Sequence, residues 1–292
     1  MEKLLIITDS NSGILQSEAK NLGIFVIPMP FTIDDEEYLE EISISQEEFY
    51  KHLEKDADVK TSQPSQIYLE ELWTNFLNDY EEIIYIPMSS GLSATCENAK
   101  NYAKKFDGKV QVVDNLRISV TQKESVFEAI AMQKQGKNAK EIKNYLEGTK
   151  EKASIYITLE VLKYLKKGGR ISPAAAALGS ALKIKPILSS RGGKFEKYSV
   201  VLSLNQAKAK MINKIKQELE NEFKEEYEQG KICISIAHTQ NEDEALKFKD
   251  EILQKIPNVN FRFIDPLSLS VSCHIGPGAL AIATCVNNFL EK

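Results

Sequence analysis

The sequence predicts a two-domain α/β protein, with an N-terminal parallel-sheet α/β domain over residues 1–150 and a C-terminal α+β domain over residues 151–292. Three observations support this. The first half alternates short apolar runs with longer amphipathic stretches, as parallel sheets with crossover helices do. The second half places more strands next to one another. A polar stretch, "EGTKEKAS" at 147–154, separates the two halves.

Four short apolar runs in the first half predict buried strands. They are "LLIIT" at 4–8, "IFVIP" at 24–28, "IIYIP" at 83–87 and "VQVV" at 110–113. Helical periodicity fills the intervals, and "SQEEFYKHLEK" opens with a capping box formed by Ser45 and Glu48. Strand and helix therefore alternate through this half.

The second half combines strands and helices in a less regular order. The predicted strands are "SIYIT" at 154–158, "KPILSS", "KYSVVLSL", "ICISIAH" and "VNFRFID". The predicted helices are "PAAAALGSALK" at 173–183, a long charged helix over roughly 205–228, one starting at Asn241 and a final one starting at Pro277. Proline suits the first turn of a helix, which supports the last of these.

Composition and charge exclude several classes of protein. The chain has 37 basic and 42 acidic residues and a net charge of −5, without the basic block of a nucleic-acid binder. The apolar run in "MEKLLIITDS" is too short for a signal peptide or a membrane span. We therefore expect a cytoplasmic protein without stable membrane insertion, which leaves transient membrane contact open.

The four cysteines, Cys96, Cys233, Cys273 and Cys285, include no CxxC pair. This spacing argues against a zinc site and against a disulfide framework, so we expect buried, reduced thiols and no metal.

Two hydroxyl-rich segments are candidates for anion binding. In "KTSQPS" at 60–65 the alternative is purely structural, with Ser65 capping the next helix. "MSSGLSATCENA" at 88–99 follows a predicted strand and opens a helix, so several N–H and O–H donors point to one place. It contains neither a Walker loop nor a dinucleotide fingerprint, because the GK[ST] ending and the glycine triplet are missing.

A third candidate segment is "HIGPGALAIATCV", which begins at His274. The glycines Gly276 and Gly278 let the backbone approach a ligand closely. A lone histidine is often a structural residue, and the adjoining glycines make the functional interpretation equally good.

An enzyme interpretation competes with simple binding. "GLSAT" resembles a nucleophile elbow, and the order Ser93, Asp265, His274 matches that of acyl ester hydrolases with the α/β-hydrolase fold. Thr95 stands where the elbow requires glycine, and the second half departs from the parallel α/β pattern. Ser93 therefore fits a cluster of donors better than a single nucleophile.

The segment "LKYLKKGGRISPAAAALGSALKIKPIL" at 162–188 combines basic residues with small ones. Its run of alanines and glycines either lets another element pack closely or lines an apolar channel. Candidate walls of such a channel are Ile184, Ile187, Leu188, Val200, Val201 and Leu202. Hydroxyl donors at one end and an apolar slot at the other suit an amphiphile with a small anionic head, such as a fatty acid.

Six segments, in this order, resemble the DegV family of bacterial fatty-acid-binding proteins. They are "ITDS" at 7–10, "VIPMPFTIDDEEY" at 26–38, "TSQPS" at 61–65, "SSGLSAT" at 89–95, "YLKKGGRIS" at 164–172 and "HIGPGAL" at 274–280. The chain departs from the family pattern at Ala94, where glycine is usual, and at "NLRISVTQKES", where a Ser/Gly-rich stretch is usual.

The resemblance implies a two-domain DegV-like fold in which the C-terminal domain forms most of an acyl-chain tunnel. It also implies that the protein is no enzyme but the carrier subunit of a two-component fatty-acid kinase. A separate ATP-dependent kinase would make the acyl-phosphate, for phospholipid metabolism. The bound fatty acid would be the ligand, with no further cofactor.

Carried over by position, the resemblance implies that Thr61, Ser62, Ser93 and His274 bind the carboxylate. It also implies a ligand-proximal loop that contains Ser90, Gly91, Gly276 and Gly278. Arg170 has two alternative roles, because it either lies near the head group or helps to dock the kinase.

Overall fold

The computed structural model describes residues 2–178 and 184–290 and separates the chain into two units. The first unit comprises Met1–Glu151 together with Ser268–Ser270, and the second comprises Lys152–Leu267 together with Val271–Lys292. The first contains a parallel sheet and the second a mixed sheet, so the predicted α/β fold class is confirmed.

The elements of the first unit follow in chain order. They are β1 (Glu2–Asp9), α1 (Gln16–Leu22), β2 (Phe25–Ile27), β3 (Pro30–Ile33), β4 (Glu36–Leu39), α2 (Gln46–Glu54), β5 (Val59–Thr61), α3 (Gln66–Phe76), β6 (Tyr80–Ile86), α4 (Thr95–Ala103), β7 (Val110–Val112), α5 (Val120–Lys134) and α6 (Ala139–Gly148). The four predicted strands correspond to β1, β2, β6 and β7.

The parallel sheet of the first unit has the order β2-β1-β6-β7. The buried parts of the strands are apolar because helices cover the sheet, and Trp73 of α3 is fully buried against it. A separate antiparallel sheet, β4-β3-β5, lies between β2 and α3 in the chain. The predicted capping box is present at the start of α2, where Ser45 accepts a hydrogen bond from the N–H of Glu48.

The elements of the second unit follow in the same way. They are β8 (Ala153–Thr158), α7 (Lys163–Gly168), α8 (Pro173–Ala176), β9 (Lys185–Ser190), β10 (Glu196–Val201), α9 (Leu204–Asn221), α10 (Lys224–Glu228), β11 (Ile232–His238), α11 (Glu242–Lys255), β12 (Asn260–Pro266), α12 (Leu269–Ile275) and β13 (Leu280–Val286). The sheet order is β10-β9-β8-β13-β11-β12, antiparallel except for the pair β11 and β12.

The prediction of a final helix starting at Pro277 is wrong. The helix here, α12, ends at Ile275, and the run after the glycines forms β13 in the middle of the sheet. All seven residues of β13 are buried, so the strand lacks the polar alternation that distinguishes a half-exposed strand.

Two other predicted helices differ from the structure. The small-residue helix is seen as α8, Pro173–Ala176, and its predicted continuation over 179–183 lies outside the described residues. The long charged helix is two helices, because α9 ends at Asn221 and α10 begins at Lys224.

Three predicted channel walls lie elsewhere. Ile187 is buried in the core that packs against α9 and α11, Val201 packs against the same core, and Leu202 is 73% exposed. Strand alternation explains Ile187, because its side chain points to the helix-covered face of the sheet.

The four cysteines are free thiols and all are buried. Among the residues that the structure describes, no helix is long and apolar enough to cross a membrane.

Candidate functional site

The order of the parallel sheet marks a position where ligands bind in α/β proteins. From β1 the chain passes to β2 on one side, and β6 lies on the other side of β1. At such a switch point the loops after the two strands diverge and leave a crevice at their carboxyl ends. The loops at this switch point are residues 10–12 after β1 and residues 87–94 after β6.

Asp9, the last residue of β1, fixes the start of the loop after β6. Its buried carboxylate accepts hydrogen bonds from the N–H of Met88 at 3.1 Å, from the Gln122 amide at 3.0 Å and from the N–H of Asn11 at 3.1 Å. Burial raises the pKa of Asp9, and these donors partly offset that effect. The carboxylate acts as a fixed anchor, because every contact holds backbone or buried side chains.

The loop after β6 is tightly folded. Gly91 N–H donates to the Ser89 hydroxyl at 3.1 Å, and Ser93 N–H donates to the Ser89 carbonyl at 3.1 Å. Burial raises the pKa of Asp114, but hydrogen bonds from Lys100 and then from the hydroxyl and backbone of Ser90 lower it below its ordinary value. Ala94 has a φ of −74°, which any residue adopts, so the loop does not require glycine there.

Ser93 is half-buried where α4 begins. Its hydroxyl lies 2.9 Å from the hydroxyl of Thr95 and accepts a hydrogen bond from the Thr95 N–H at 3.2 Å. Either hydroxyl can donate in the first contact. When Thr95 donates, the proton of Ser93 remains available for a ligand.

Thr61 ends β5, which pairs with β3. The next residue, Ser62, donates its backbone N–H to the carbonyl of Pro30 at 3.0 Å, so only its hydroxyl is left as the predicted ligand donor. Gln63 then accepts a hydrogen bond from Asn98 of α4 at 2.8 Å. This bond joins the "TSQPS" loop to the helix that follows Ser93, so the structure brings the two predicted hydroxyl segments together.

Ser65 caps a helix, as the structural alternative for the "KTSQPS" segment predicted. Its hydroxyl accepts a hydrogen bond from the N–H of Tyr68 at 3.1 Å and caps α3.

The side chains of Cys96, Glu97 and Asp114 come close enough together to hold a metal ion. The ammonium group of Lys100 lies 3.0 Å from both carboxylates and supplies the positive charge there. Burial also raises the pKa of Cys96 to about 12, so the thiol is protonated and a poor metal ligand at neutral pH.

His274 lies in the second unit, in the last turn of α12. The imidazole is half-buried against the backbone of α7, because a Cβ atom added to Gly168 would lie 2.3 Å from its Nδ1. Burial and the nearby Arg170 guanidinium lower the pKa of His274 to about 4. The ring is therefore neutral at physiological pH and can donate one hydrogen bond without carrying charge.

Hydrogen bonds with Thr239 hold the turn that follows His274. The Thr239 hydroxyl donates to the carbonyl of Gly276 at 2.6 Å and accepts from the N–H of Ala279 at 2.9 Å. Gly278 N–H donates to the Thr239 carbonyl at 2.8 Å. Both glycines have a positive φ, 81° and 79°, which a residue with a Cβ adopts only with strain.

Arg170 directly follows α7 and its Gly-Gly turn. Its guanidinium donates to the carbonyl of Gly168, and its own carbonyl accepts from the N–H of Phe195 at 2.9 Å. Both alternative roles of Arg170, contact with the head group and docking of the kinase, stay predictions.

The hydrolase alternative gains no support from this geometry. The hydroxyl of Ser93 lies 2.9 Å from that of Thr95 rather than beside a histidine partner that would mark it as a nucleophile. Asp265 lies in β12, and a histidine with a pKa of about 4 is a weak general base at neutral pH.

Sequence reasoning missed a buried carboxylate, Glu40. It accepts hydrogen bonds from the hydroxyl of Ser10 at 2.8 Å, from the hydroxyl of Ser270 at 3.1 Å and from the N–H of Leu269. A cavity of about 490 Å³ opens beside it, lined by residues 40–46, Glu48 and Leu269. No local pattern in the sequence distinguishes Glu40 from the exposed Glu41, since its partners come from distant parts of the chain.

Comparison with known proteins agrees with the motifs. The model of the DegV family, described as an uncharacterised protein family, matches residues 3–287. A DegV domain-containing protein of Staphylococcus aureus is 31% identical over 282 residues, covering 97% of this chain and 98% of that protein.

Solved structures show the same fold. The crystal structure of DegV, a fatty acid binding protein from Bacillus subtilis, has a TM-score of 0.82 at 28% identity, covering 98% of this chain and 100% of that chain. A fatty-acid-binding DegV family protein from Thermus thermophilus has a TM-score of 0.87 at 24% identity, covering 97% and 99% of the two chains. With a family model and a relative that both span nearly its whole length, the chain belongs to the DegV family.

Proposed function

We propose that this protein binds a long-chain fatty acid and presents its carboxylate to a separate ATP-dependent kinase. The observation that carries the proposal is the likeness, along the whole chain, to the fatty acid binding protein of Bacillus subtilis. The hydroxyl-rich loops of the first unit and a sheet face of small side chains in the second unit support it independently.

The carboxylate ligands we propose are Thr61, Ser62, Ser93 and His274. Three hydroxyls and a neutral imidazole can each donate one hydrogen bond, and hydrogen bonds to a charged acceptor are roughly twice as strong as neutral ones. Such a set stabilises an anion without a neighbouring metal ion. The pairing of Ser93 with Thr95 supports this role, because Thr95 can donate to Ser93 and free its proton for the ligand.

The two faces of the sheet in the second unit differ in side-chain size. The face against α9 and α11 carries Ile232, Ile234, Ile236, Leu280, Ile282 and Val286. Because side chains alternate along a strand, the opposite face carries Cys233, Ser235, Ala237, Ala281, Ala283 and Cys285. Small side chains leave depth beside the sheet that an acyl chain can fill, so we propose the tunnel along this face.

The acyl chain supplies most of the binding free energy. Each buried CH₂ contributes about 0.8 kcal/mol, so a long chain offers on the order of 10 kcal/mol. The head-group donors orient the carboxylate and select acids over other lipids of the same length.

Phosphorylation takes place on the kinase in this proposal. A carboxylate oxygen attacks the γ-phosphorus of ATP, the bond to the β-phosphate oxygen breaks, and ADP and the acyl-phosphate result. The carrier holds the carboxylate, and the kinase supplies ATP and stabilises the transferred group.

The first test is extraction of the purified protein with organic solvent, followed by mass spectrometry. We expect about one fatty acid per chain, or saturable binding of added oleate or palmitate to delipidated protein. Protein that neither retains nor binds a fatty acid would overturn the proposal.

The second test addresses the head group and the kinase step. Ser93→Ala and Thr61→Ala should each weaken oleate binding about tenfold and slow acyl-phosphate formation with the kinase, because each removes one donor to a charged acceptor. Thr74→Ala is the matched control, since Thr74 is exposed on α3 and its hydroxyl bonds within the helix. Unchanged binding and unchanged turnover in both site variants would contradict the assigned ligands.

A further inference from the structure

Three contacts in the second unit each place a glycine against a larger residue. A Cβ added to Gly168 would lie 2.3 Å from the Nδ1 atom of His274. A Cβ added to Gly276 would lie 2.3 Å from a ring carbon of Tyr164, and one added to Gly278 would lie 2.5 Å from the Cγ of Glu160. We call these three pairs the glycine seam.

The seam has a regular order. Glu160, Tyr164 and Gly168 are spaced four residues apart on one side, and Gly278, Gly276 and His274 are spaced two residues apart on the other. The two segments run in opposite directions, and every pair contains one glycine. The segment around α7 and the turn before β13 therefore approach more closely than two ordinary side chains permit.

The three glycines are required for different reasons. Gly276 and Gly278 have φ values of 81° and 79°, so another residue there would be strained even without the contacts. Gly168 lies in α7 and its φ is outside this range, so an alanine there meets no backbone strain. The requirement for glycine at 168 is purely spatial, and the obstacle is the imidazole ring.

The imidazole, rather than the turn, must give way to a side chain at 168. The three heavy atoms nearest to the added Cβ all belong to the His274 ring, at 2.3, 3.0 and 3.1 Å. Thr239, which is fully buried, holds the backbone of Gly276, Gly278 and Ala279 through three hydrogen bonds of 2.6 to 2.9 Å. A turn fixed in this way cannot move aside, so the ring would rotate away.

The same glycine also holds the neighbouring cation. The Arg170 guanidinium donates to the carbonyl of Gly168, while the Cα of Gly168 faces His274. Gly168 therefore contacts both a neutral donor and a positive charge. Burial of the ring, and to a lesser extent the Arg170 charge, lowers the pKa of His274.

We propose that Gly168 is a positioning residue for the ligand carboxylate, acting through the close contact between its Cα and the His274 imidazole. The inference rests on the proposed function, since it names the residue that places one proposed carboxylate donor. Gly168 itself offers no side chain to the ligand and acts only by leaving space.

The test compares Gly168→Ala with Gly193→Ala in the full-length protein. Gly193 is the matched control because it belongs to the same unit, is exposed, has nothing within 4 Å of an added Cβ and has an ordinary φ. In ligand-free Gly168→Ala, an NMR titration should give His274 a pKa nearer 6.5 than 4, because the ring moves into solvent. The chain has only three histidines, so His274→Ala identifies the signal.

Oleate binding gives the second readout. Gly168→Ala should bind about tenfold more weakly, the equivalent of one lost hydrogen bond to a charged group, and Gly193→Ala should bind normally. The double variant Gly168→Ala/His274→Ala should bind as His274→Ala does, because the obstructed ring is gone. If Gly168→Ala alone fails to fold, recovery of folding in the double variant supports the same contact.

Two results would overturn the proposal. One is an unchanged His274 titration and unchanged oleate affinity in Gly168→Ala. The other is a full tenfold loss that persists when Gly168→Ala is added to His274→Ala, since the glycine would then act independently of the ring. Wild-type protein that binds no fatty acid, with a His274 titration that still shifts in Gly168→Ala, would refute the proposed function and leave the contact itself established.

Discussion

The carboxylate of Glu40 accepts a hydrogen bond at 3.1 Å from the hydroxyl of Ser270, a residue 230 positions later in the chain. Ser10 and the N–H of Leu269 donate to the same group. These donors favour the ionised carboxylate, whereas full burial disfavours it. Burial is the larger effect and raises the pKa of Glu40 to about 7.

This pKa makes the free energy of unfolding depend on pH. The folded protein binds the Glu40 proton with a pKa of about 7, and the unfolded chain binds it with the ordinary value of 4.5. The contribution of Glu40 is therefore complete below pH 4.5 and is lost as the pH rises through 7, by at most about 3 kcal/mol. Glu40→Gln mimics the protonated form and should remove this dependence.

Urea unfolding of both proteins between pH 5 and pH 8 checks the Glu40 prediction. As the pH rises, the free energy of unfolding of wild type should fall relative to that of Glu40→Gln. Parallel pH profiles would show that Glu40 does not titrate in this range.

His274 should produce the opposite dependence. Its pKa is lowered from 6.5 to about 4, so the folded protein resists protonation of the ring. Its contribution is complete above pH 6.5 and is lost as the pH falls to 4, again by at most about 3 kcal/mol. Subtracting the pH profile of His274→Asn from that of wild type isolates this contribution from that of Glu40. A flat difference between pH 4 and pH 6.5 would contradict it.

The pair Arg117 and Glu128 should be sensitive to loss of either partner. Their charged groups lie 3.0 Å apart and both side chains are fully buried. Arg117→Met leaves the buried Glu128 carboxylate without its positive partner, although the Tyr145 hydroxyl still donates to it, and should lower the free energy of unfolding by about 3–5 kcal/mol. The double variant Arg117→Met/Glu128→Leu should recover much of the loss in urea titrations. A single variant with unchanged stability would argue against a buried ion pair.

Asp9 should matter for stability more than any exposed aspartate. Asp9→Ala removes the acceptor for the Gln122 amide and for the N–H of Met88, which leaves buried donors unpaired. We expect a loss of about 3 kcal/mol or more in the free energy of unfolding, and a smaller loss in Asp9→Asn, which keeps one oxygen. Asp79→Ala is the exposed control. Equal stability of Asp9→Ala and this control would contradict the anchoring role.

Much of the fold could be predicted from local pattern. The strands at 4–8, 24–28, 83–87 and 110–113 were identified because each is a short apolar run bounded by helical periodicity, and the structure confirms them. The last element could not be identified in this way. "LAIATCV" is buried on both faces, and a continuous apolar run has no period that separates a strand from a helix.

The residues of the candidate site also differ in whether a local sequence pattern could reveal them. The segments around Ser93 and His274 could be found because hydroxyl-rich and glycine-rich loops next to apolar runs have few structural explanations. The roles of Glu40 and Gly168 could not be found, because they depend on partners such as Ser270 and His274 that are far away in the sequence. Close approach between distant segments has no local signature.

Alkylation of the four buried thiols can report which part of the protein unfolds locally. A thiol reagent reaches Cys96, Cys233, Cys273 or Cys285 only after the surrounding segment has opened, because all four are buried in the folded state. Cys96 reports on the first unit, and the other three report on the second. Mass spectrometry of the alkylated protein would therefore tell, cysteine by cysteine, which unit opens first and which one a bound ligand keeps closed.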